Sequence, residues 1–212
     1  MREDLTDLTV VLDRSGSMSS IRTDMEGGFN EFIEKQKALP GDMRVSLYQF
    51  DDEYERVYAS LGVKDVPKLT LEPRGWTALL DAVGRAVDDA GHRLRAIKEE
   101  DRPAKVIFLI ITDGEENSSR ERTKDQIAQL IKQQETQYNW KFVYLGANVD
   151  AFAAAAAIGI PTRAAAGYGA TGQSVKAMYA NLHSNMTAAR SATASTYATA
   201  MDFDDEQREA QK

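Results

Sequence analysis

Asp13, Ser15 and Ser17 place three oxygen-bearing side chains at alternating positions, directly after the apolar run Leu8-Thr9-Val10-Val11-Leu12. A carboxylate and two hydroxyls are donors that suit a hard divalent cation, because Mg²⁺ takes oxygen ligands in near-octahedral geometry and keeps part of its water. Gly16, between the serines, lets the backbone bend tightly. A purely local account competes with this one, since Ser and Asp also recur in turns and at helix starts. Two distant stretches favour the metal. Lys105 to Thr112 is almost wholly apolar, as a strand buried on both faces would be, and it ends at Asp113-Gly114. Thr77 follows Arg74-Gly75-Trp76 at the start of an amphipathic pattern. In open parallel sheets, ligands sit beyond the carboxyl ends of the strands, where strand order reverses. Asp13 and Asp113 are expected to converge at that edge, with Thr77 arriving from a loop.

Such a site needs a sheet to hold it, and the chain supplies the elements in order. Ile21, Met25, Phe29, Phe32, Ile33, Gln36 and Leu39 form one helical stripe, stopped by Pro40-Gly41. Gly27-Gly28 interrupts it, which predicts a neighbouring element that needs the room. Met43–Phe50 and Tyr54–Leu61 read as strands joined by Asp51-Asp52-Glu53, a connection so short that the pair must be antiparallel. Asp51 and Asp52 read as turn residues, with an acidic rim shared with Glu115 and Glu116 as the alternative. Residues 62–76 read as a loop. Leu80, Val83, Val87, Ala90, Leu94 and Ile97 mark the next helix, and Thr123 to Gln126 fits a capping box before another. Trp140–Leu145 is a strand, Asp150 caps an Ala-rich helix over 151–158, and Val175, Met178, Tyr179, Leu182 and Met186 share a helical face. Alternating strands and helices predict an α/β fold: a doubly wound, mostly parallel sheet with one antiparallel edge strand and helices on both faces.

Asp13-x-Ser15-x-Ser17, a lone Thr77 and a strand-terminal Asp113, in that order, resemble the metal-ion-dependent adhesion site of von Willebrand factor A domains. The resemblance spans about residues 5–190, and among such proteins it is strongest to small stand-alone bacterial and bacteriophage forms. It implies a Rossmann-like, six-stranded sheet with one antiparallel edge. Pro161 to Ala166, where the sixth strand belongs, has little β character, so that strand is expected to be short or absent. It also implies a metal held by Asp13, Ser15, Ser17, Thr77 and Asp113. The metal would be Mg²⁺, with Mn²⁺ or Ca²⁺ as alternatives, and a partner protein's Asp or Glu would complete its coordination. The implied function is a metal-dependent protein-binding module, not an enzyme.

Other classes fit less well. A net charge of −7 argues against wrapping nucleic acid. The chain has no cysteine, and neither its acidic first residues nor its short first apolar run resembles a signal peptide or a membrane span. A cytoplasmic protein without membrane contact is the expectation. Gly167-x-Gly169-x-x-Gly172 matches a dinucleotide fingerprint in letters, but no good strand precedes it and no acidic residue follows at the needed distance. A phosphohydrolase of the Asp-x-Asp type would need a carboxylate where Ser15 stands. Serine hydrolysis lacks its G-x-S-x-G, and His92 and His183 fall on helices. The rival from another class is a structural or assembly component, for instance of a phage particle. Beyond a 1–190 domain, residues 191–212 are Ser/Thr/Ala-rich and then acidic. They read as a mobile tail, with self-association through its carboxylates as an added role.

Overall fold

A computed structural model describes residues 1–147 and 150–212. Six strands form one sheet in the order β3-β2-β1-β4-β5-β6. They are β1 (Arg2–Asp13), β2 (Asp42–Phe50), β3 (Tyr54–Gly62), β4 (Pro103–Thr112), β5 (Lys141–Ala147) and β6 (Ala165–Tyr168). Among the described residues only the β2–β3 hairpin is antiparallel. The antiparallel edge thus lies where the short Asp51–Glu53 connection placed it. The sixth strand does form, over four residues.

The first strand in sequence lies at the middle of the sheet, between β2 and β4. Chain order therefore runs outward in opposite directions from β1, which makes the β1/β4 boundary the switch point. Alternating side chains feed two cores. Leu8, Val10 and Leu12 join Ile107, Leu109 and Ile111 on one face, under α1 (Arg22–Lys37) and α5 (Gly172–Ser191). Val11, Phe108 and Ile110 join Phe142 and Tyr144 on the other, under α2 (Leu79–Arg95), α3 (Lys124–Tyr138) and α4 (Ala151–Ala157). Burial on both faces explains why β1 and β4 read as continuous apolar runs.

The glycine pair in α1 separates into two cases. A Cβ on Gly28 would lie 2.3 Å from Tyr179 Cδ2 of α5, so this glycine sets the α1–α5 approach, whereas a Cβ on Gly27 would meet nothing within 4 Å. Gly27→Ala is expected to stabilise the protein by about 0.5–1 kcal/mol through helix propensity. Gly28→Ala is expected to destabilise it by about 1–3 kcal/mol through overpacking. Urea denaturation of the two variants checks both signs.

Residues 191–212 correct the expectation of a mobile tail. Tyr197, Met201 and Phe203 are buried in the α1/α5 core. The Tyr197 hydroxyl accepts from Val106 N–H at 3.3 Å and reaches the Val106 carbonyl at 3.2 Å. Asp202 pairs with Lys141 and, at 3.3 Å, with Arg163. Two short helices follow Ser191, α6 (Tyr197–Ala200) and α7 (Asp205–Ala210). Asp204 caps α7 in a capping box with Gln207. Gln211 is buried and donates to the Gly167 carbonyl at 3.2 Å, and its own carbonyl accepts from Gly169 N–H at 3.0 Å. The chain end thereby covers the otherwise open β6 edge. Apolar residues are sparse here, but three large ones are spaced to reach the same core.

Candidate metal centre

The proposed ligands arrive from three places on the carboxyl edge of the sheet. Asp13 ends β1 and pairs in register with Phe50, while Leu12 pairs with Ile111, so Thr112 sits beside Asp13. A 3₁₀ turn over Gly16–Ile21 begins immediately afterwards and carries Ser17. Asp113 follows β4. The loop before α2 brings Thr77.

The oxygens meet around Gly114. Ser17 Oγ donates to Asp113 Oδ1 at 2.6 Å, and Ser15 Oγ lies 3.2 Å from Ser17 Oγ. A Cβ built on Gly114 would lie 3.2 Å from Thr77 Oγ1, 3.6 Å from Ser17 Oγ and 4.0 Å from Ser15 Oγ. Three hydroxyls and the Asp113 carboxylate therefore surround one small volume. Neighbouring ligands on an octahedral Mg²⁺ with bonds near 2.1 Å lie ~3 Å apart. The Ser17–Asp113 and Ser15–Ser17 oxygen pairs, at 2.6 and 3.2 Å, are close enough to share one ion. Asp13 is held more deeply: its Oδ1 accepts from Ser15 N–H at 2.6 Å and its Oδ2 from Thr112 Oγ1 at 2.5 Å.

Electrostatics at this edge suit a cation. Burial pushes the Asp13 carboxyl up to about 6, against hydrogen bonds from Thr112 and Ser15 that lower it, with Asp113 adding a like charge. Burial also raises Asp113, whose Oδ2 is a buried acceptor with no hydrogen-bond partner. Buried acceptors are almost always satisfied, so an unpaired carboxylate oxygen in this place fits the role of a cation ligand. Among the described residues no group of three or more His, Cys, Asp or Glu side chains converges. The cluster is instead two carboxylates and three hydroxyls, a donor set of low charge.

The loop that delivers Thr77 is braced on every side. Thr77 N–H donates to Asn117 Oδ1 at 2.9 Å, and Asn117 N–H to the Thr77 carbonyl at 3.0 Å. Gly16 N–H donates to the Gly75 carbonyl at 3.3 Å, Arg74 N–H to the Arg14 carbonyl at 2.8 Å, and Ala78 N–H to the Asp51 carbonyl at 2.9 Å. Gly75 takes φ +66°, a conformation that favours glycine.

The expected acidic rim is mostly consumed by structure. Asp51 is buried and accepts from Arg14 Nε at 3.0 Å and Arg74 Nε at 2.8 Å. Burial alone would raise its carboxyl, but Arg74, the Glu53 N–H and Arg14 together hold it below the usual range. Glu116 accepts from the backbone of Leu80, Ser118 and Ser119, capping α2. Asp52 and Glu115 remain exposed. Thr112, Asn117 and the Arg14–Asp51 pair were not singled out from sequence. Thr112 alone left a signal there, as a hydroxyl beside a strand-terminal Asp.

A cavity of about 590 Å³ lies between α2 and α3, lined by His92, Tyr138 and Trp140 among others, and shares no residue with the oxygen cluster. His183 is likewise remote, with Nδ1 3.0 Å from Gln36 Nε2. Neither histidine can serve as a base at the cluster.

No family model matches the chain, and no curated protein matches it. Solved structures do. Proximal thread matrix protein 1 from the mussel byssus, with a zinc-occupied MIDAS motif, is similar at 17% identity and TM-score 0.58, covering 87% of this chain and 46% of its own. A von Willebrand factor type A protein from Catenulispora acidiphila gives 15% identity and TM-score 0.56 over 92% of this chain and 42% of its own. The ArnB paralog VWA2 from Sulfolobus acidocaldarius gives 16% and 0.52 over 83% and 44%. The chain spans less than half the length of these structures. No described helix is long and apolar enough to cross a membrane. With its six-stranded sheet, one antiparallel edge and helices on both faces, the chain has a von Willebrand factor A-like α/β fold.

Proposed function

We propose that this chain is a metal-dependent protein-binding module. Asp13, Ser15, Ser17, Thr77 and Asp113 hold one divalent cation, Mg²⁺ first with Mn²⁺ or Ca²⁺ as substitutes, and a partner protein's Asp or Glu completes its shell. The observation that carries this reading is the gathering of three hydroxyls and a half-satisfied Asp113 around Gly114. A cation in such a shell stays electrophilic, because two carboxylates do little more than balance its charge. Gly16 and Ser17 are solvent-exposed, so a cation held here would be within reach of a docking partner. The zinc-occupied MIDAS motif of the byssus protein supports a divalent ion on this fold. Catalysis is not proposed, since no histidine or third carboxylate stands ready as a base.

Immobilised peptides displaying a single Glu provide the test. The protein is expected to bind them in Mg²⁺, to release them in chelator, and to ignore the matching Gln peptides. Retention that survives chelator would instead support a scaffold role.

A further inference from the structure

The cavity between α2 and α3 lies at the amino edge of the sheet, where Pro103 and Ala104 begin β4 and Trp140 immediately precedes β5. Val106 in its wall comes seven residues before Asp113, so roughly 23 Å of strand, at ~3.3 Å per residue, separates it from the oxygen cluster. Its volume of about 590 Å³ falls in the range of small-molecule sites, ~300–1,000 Å³. Val87, Leu94, Val106 and Trp140 give it a buried apolar floor. Phe108 stacks on Trp140 with ring centroids 5.3 Å apart, which fixes the indole. Tyr138 stands 6.4 Å from Trp140, tilted by 47°, and is 58% exposed. Two rings at such an angle form a corner that a flat ring can enter, stacking on one and meeting the edge of the other.

Gly91 supplies room beside that corner. It sits inside α2, where glycine costs stability relative to alanine, yet a Cβ there would meet nothing within 4 Å. Unlike Gly28, it makes way for no neighbouring element; the space beside it belongs to the cavity.

The charges around the cavity do not cancel. Asp88 pairs with Arg122 at 2.7 Å. Arg102 closes the turn after α2, donating to the carbonyls of Ile97 at 2.8 Å and Arg95 at 3.2 Å. The side chains of Arg95 and Glu99 are exposed and make no ion pair or hydrogen bond among the described residues. Two guanidiniums thus stand against one uncommitted carboxylate. The planar fork of Arg95 is free to take a carboxylate through two parallel hydrogen bonds.

We propose that this cavity is a second ligand site, for a small flat aromatic molecule bearing a carboxylate, its ring in the Tyr138–Trp140 corner against Gly91 and its carboxylate on Arg95. The site is independent of the metal-dependent reading above.

The chain has two tryptophans, so its spectrum of ¹⁵N-labelled amides carries two indole N–H signals, and Trp76→Phe identifies the one from Trp140. Three probes of one shape are titrated against that signal: 2-naphthoate, neutral 2-naphthylmethanol and cationic 2-naphthylmethylamine. The acid is expected to shift the Trp140 signal in a saturable way and to bind ~5-fold more tightly than the alcohol, the amine being weakest. Arg95→Gln is expected to bring the acid down to the level of the alcohol. Gly91→Leu, a change to a better helix former whose side chain fills the cavity, is expected to abolish the shift by all three. A Trp140 signal unmoved by any probe at millimolar concentration would overturn the site. Equal or tighter binding of the alcohol or amine, or an acid affinity unchanged in Arg95→Gln, would overturn the ligand class. Undiminished binding in a folded Gly91→Leu protein would overturn the location.

Discussion

Asp13→Ala is expected to abolish the thermal response of the protein to Mg²⁺. In the wild type a cation at about 100 times its dissociation constant adds about 2.7 kcal/mol, provided the unfolded chain does not bind it. For a chain of this size, each kcal/mol is worth about 2–4 °C of melting temperature. The wild-type midpoint should therefore rise by several degrees between chelator and saturating Mg²⁺, and the Asp13→Ala midpoint should not move. Each protein is compared with itself, so any stability change caused by the substitution alone cancels. Asp13 is the right residue to remove because its carboxylate organises the turn that carries the proposed ligands. Its carboxylate holds Ser15 N–H and Thr112 Oγ1, both on the path to the other ligands. An equal shift in both proteins would contradict the assignment.

The second large effect concerns the chain end. Tyr197→Ala is expected to cost about 3–5 kcal/mol, the usual range for removing a buried aromatic. Its ring is fully buried, and its hydroxyl engages the Val106 backbone and the Asn139 carbonyl. Truncation after Arg190 should cost more, because it also removes Met201, Phe203 and the Gln211 contact with β6. Urea denaturation followed by circular dichroism should show a large fall in the transition midpoint for both variants. A truncated chain that melts like the full one would mean that this packing contributes nothing. Asp202 is paired and Asp204 caps a helix, so neither is a loose ligand waiting for a metal.

The strands were legible because two faces of apolar packing leave continuous runs such as Val106 to Ile111. The capping box at Thr123 was legible because its chemistry is local. So was the Asp150 cap, which accepts from Phe152 and Ala153 N–H. β6 was hard to see because Ala165 and Ala166 are small residues buried in the two cores, and nothing in their side chains favours a strand. Low apolar density makes the chain end read as mobile, whereas spacing decides whether Tyr197, Met201 and Phe203 reach one core. Asp51 was the hardest residue to place. Its partner Arg14 is 37 positions away in sequence, and only the hairpin's position beside β1 brings the two together. The five proposed ligands were readable as types and order, but Thr112 and Asn117, which orient them, act through contacts that sequence spacing does not reveal.

Crystals soaked in Mn²⁺ and measured at an energy where manganese scatters anomalously would test the central claim most directly. One anomalous peak is expected within about 2–2.5 Å of Ser15 Oγ, Ser17 Oγ and a carboxylate oxygen, with Thr77 and the second Asp bound directly or through water. An empty cluster at saturating Mn²⁺, or a peak only elsewhere on the surface, would contradict it.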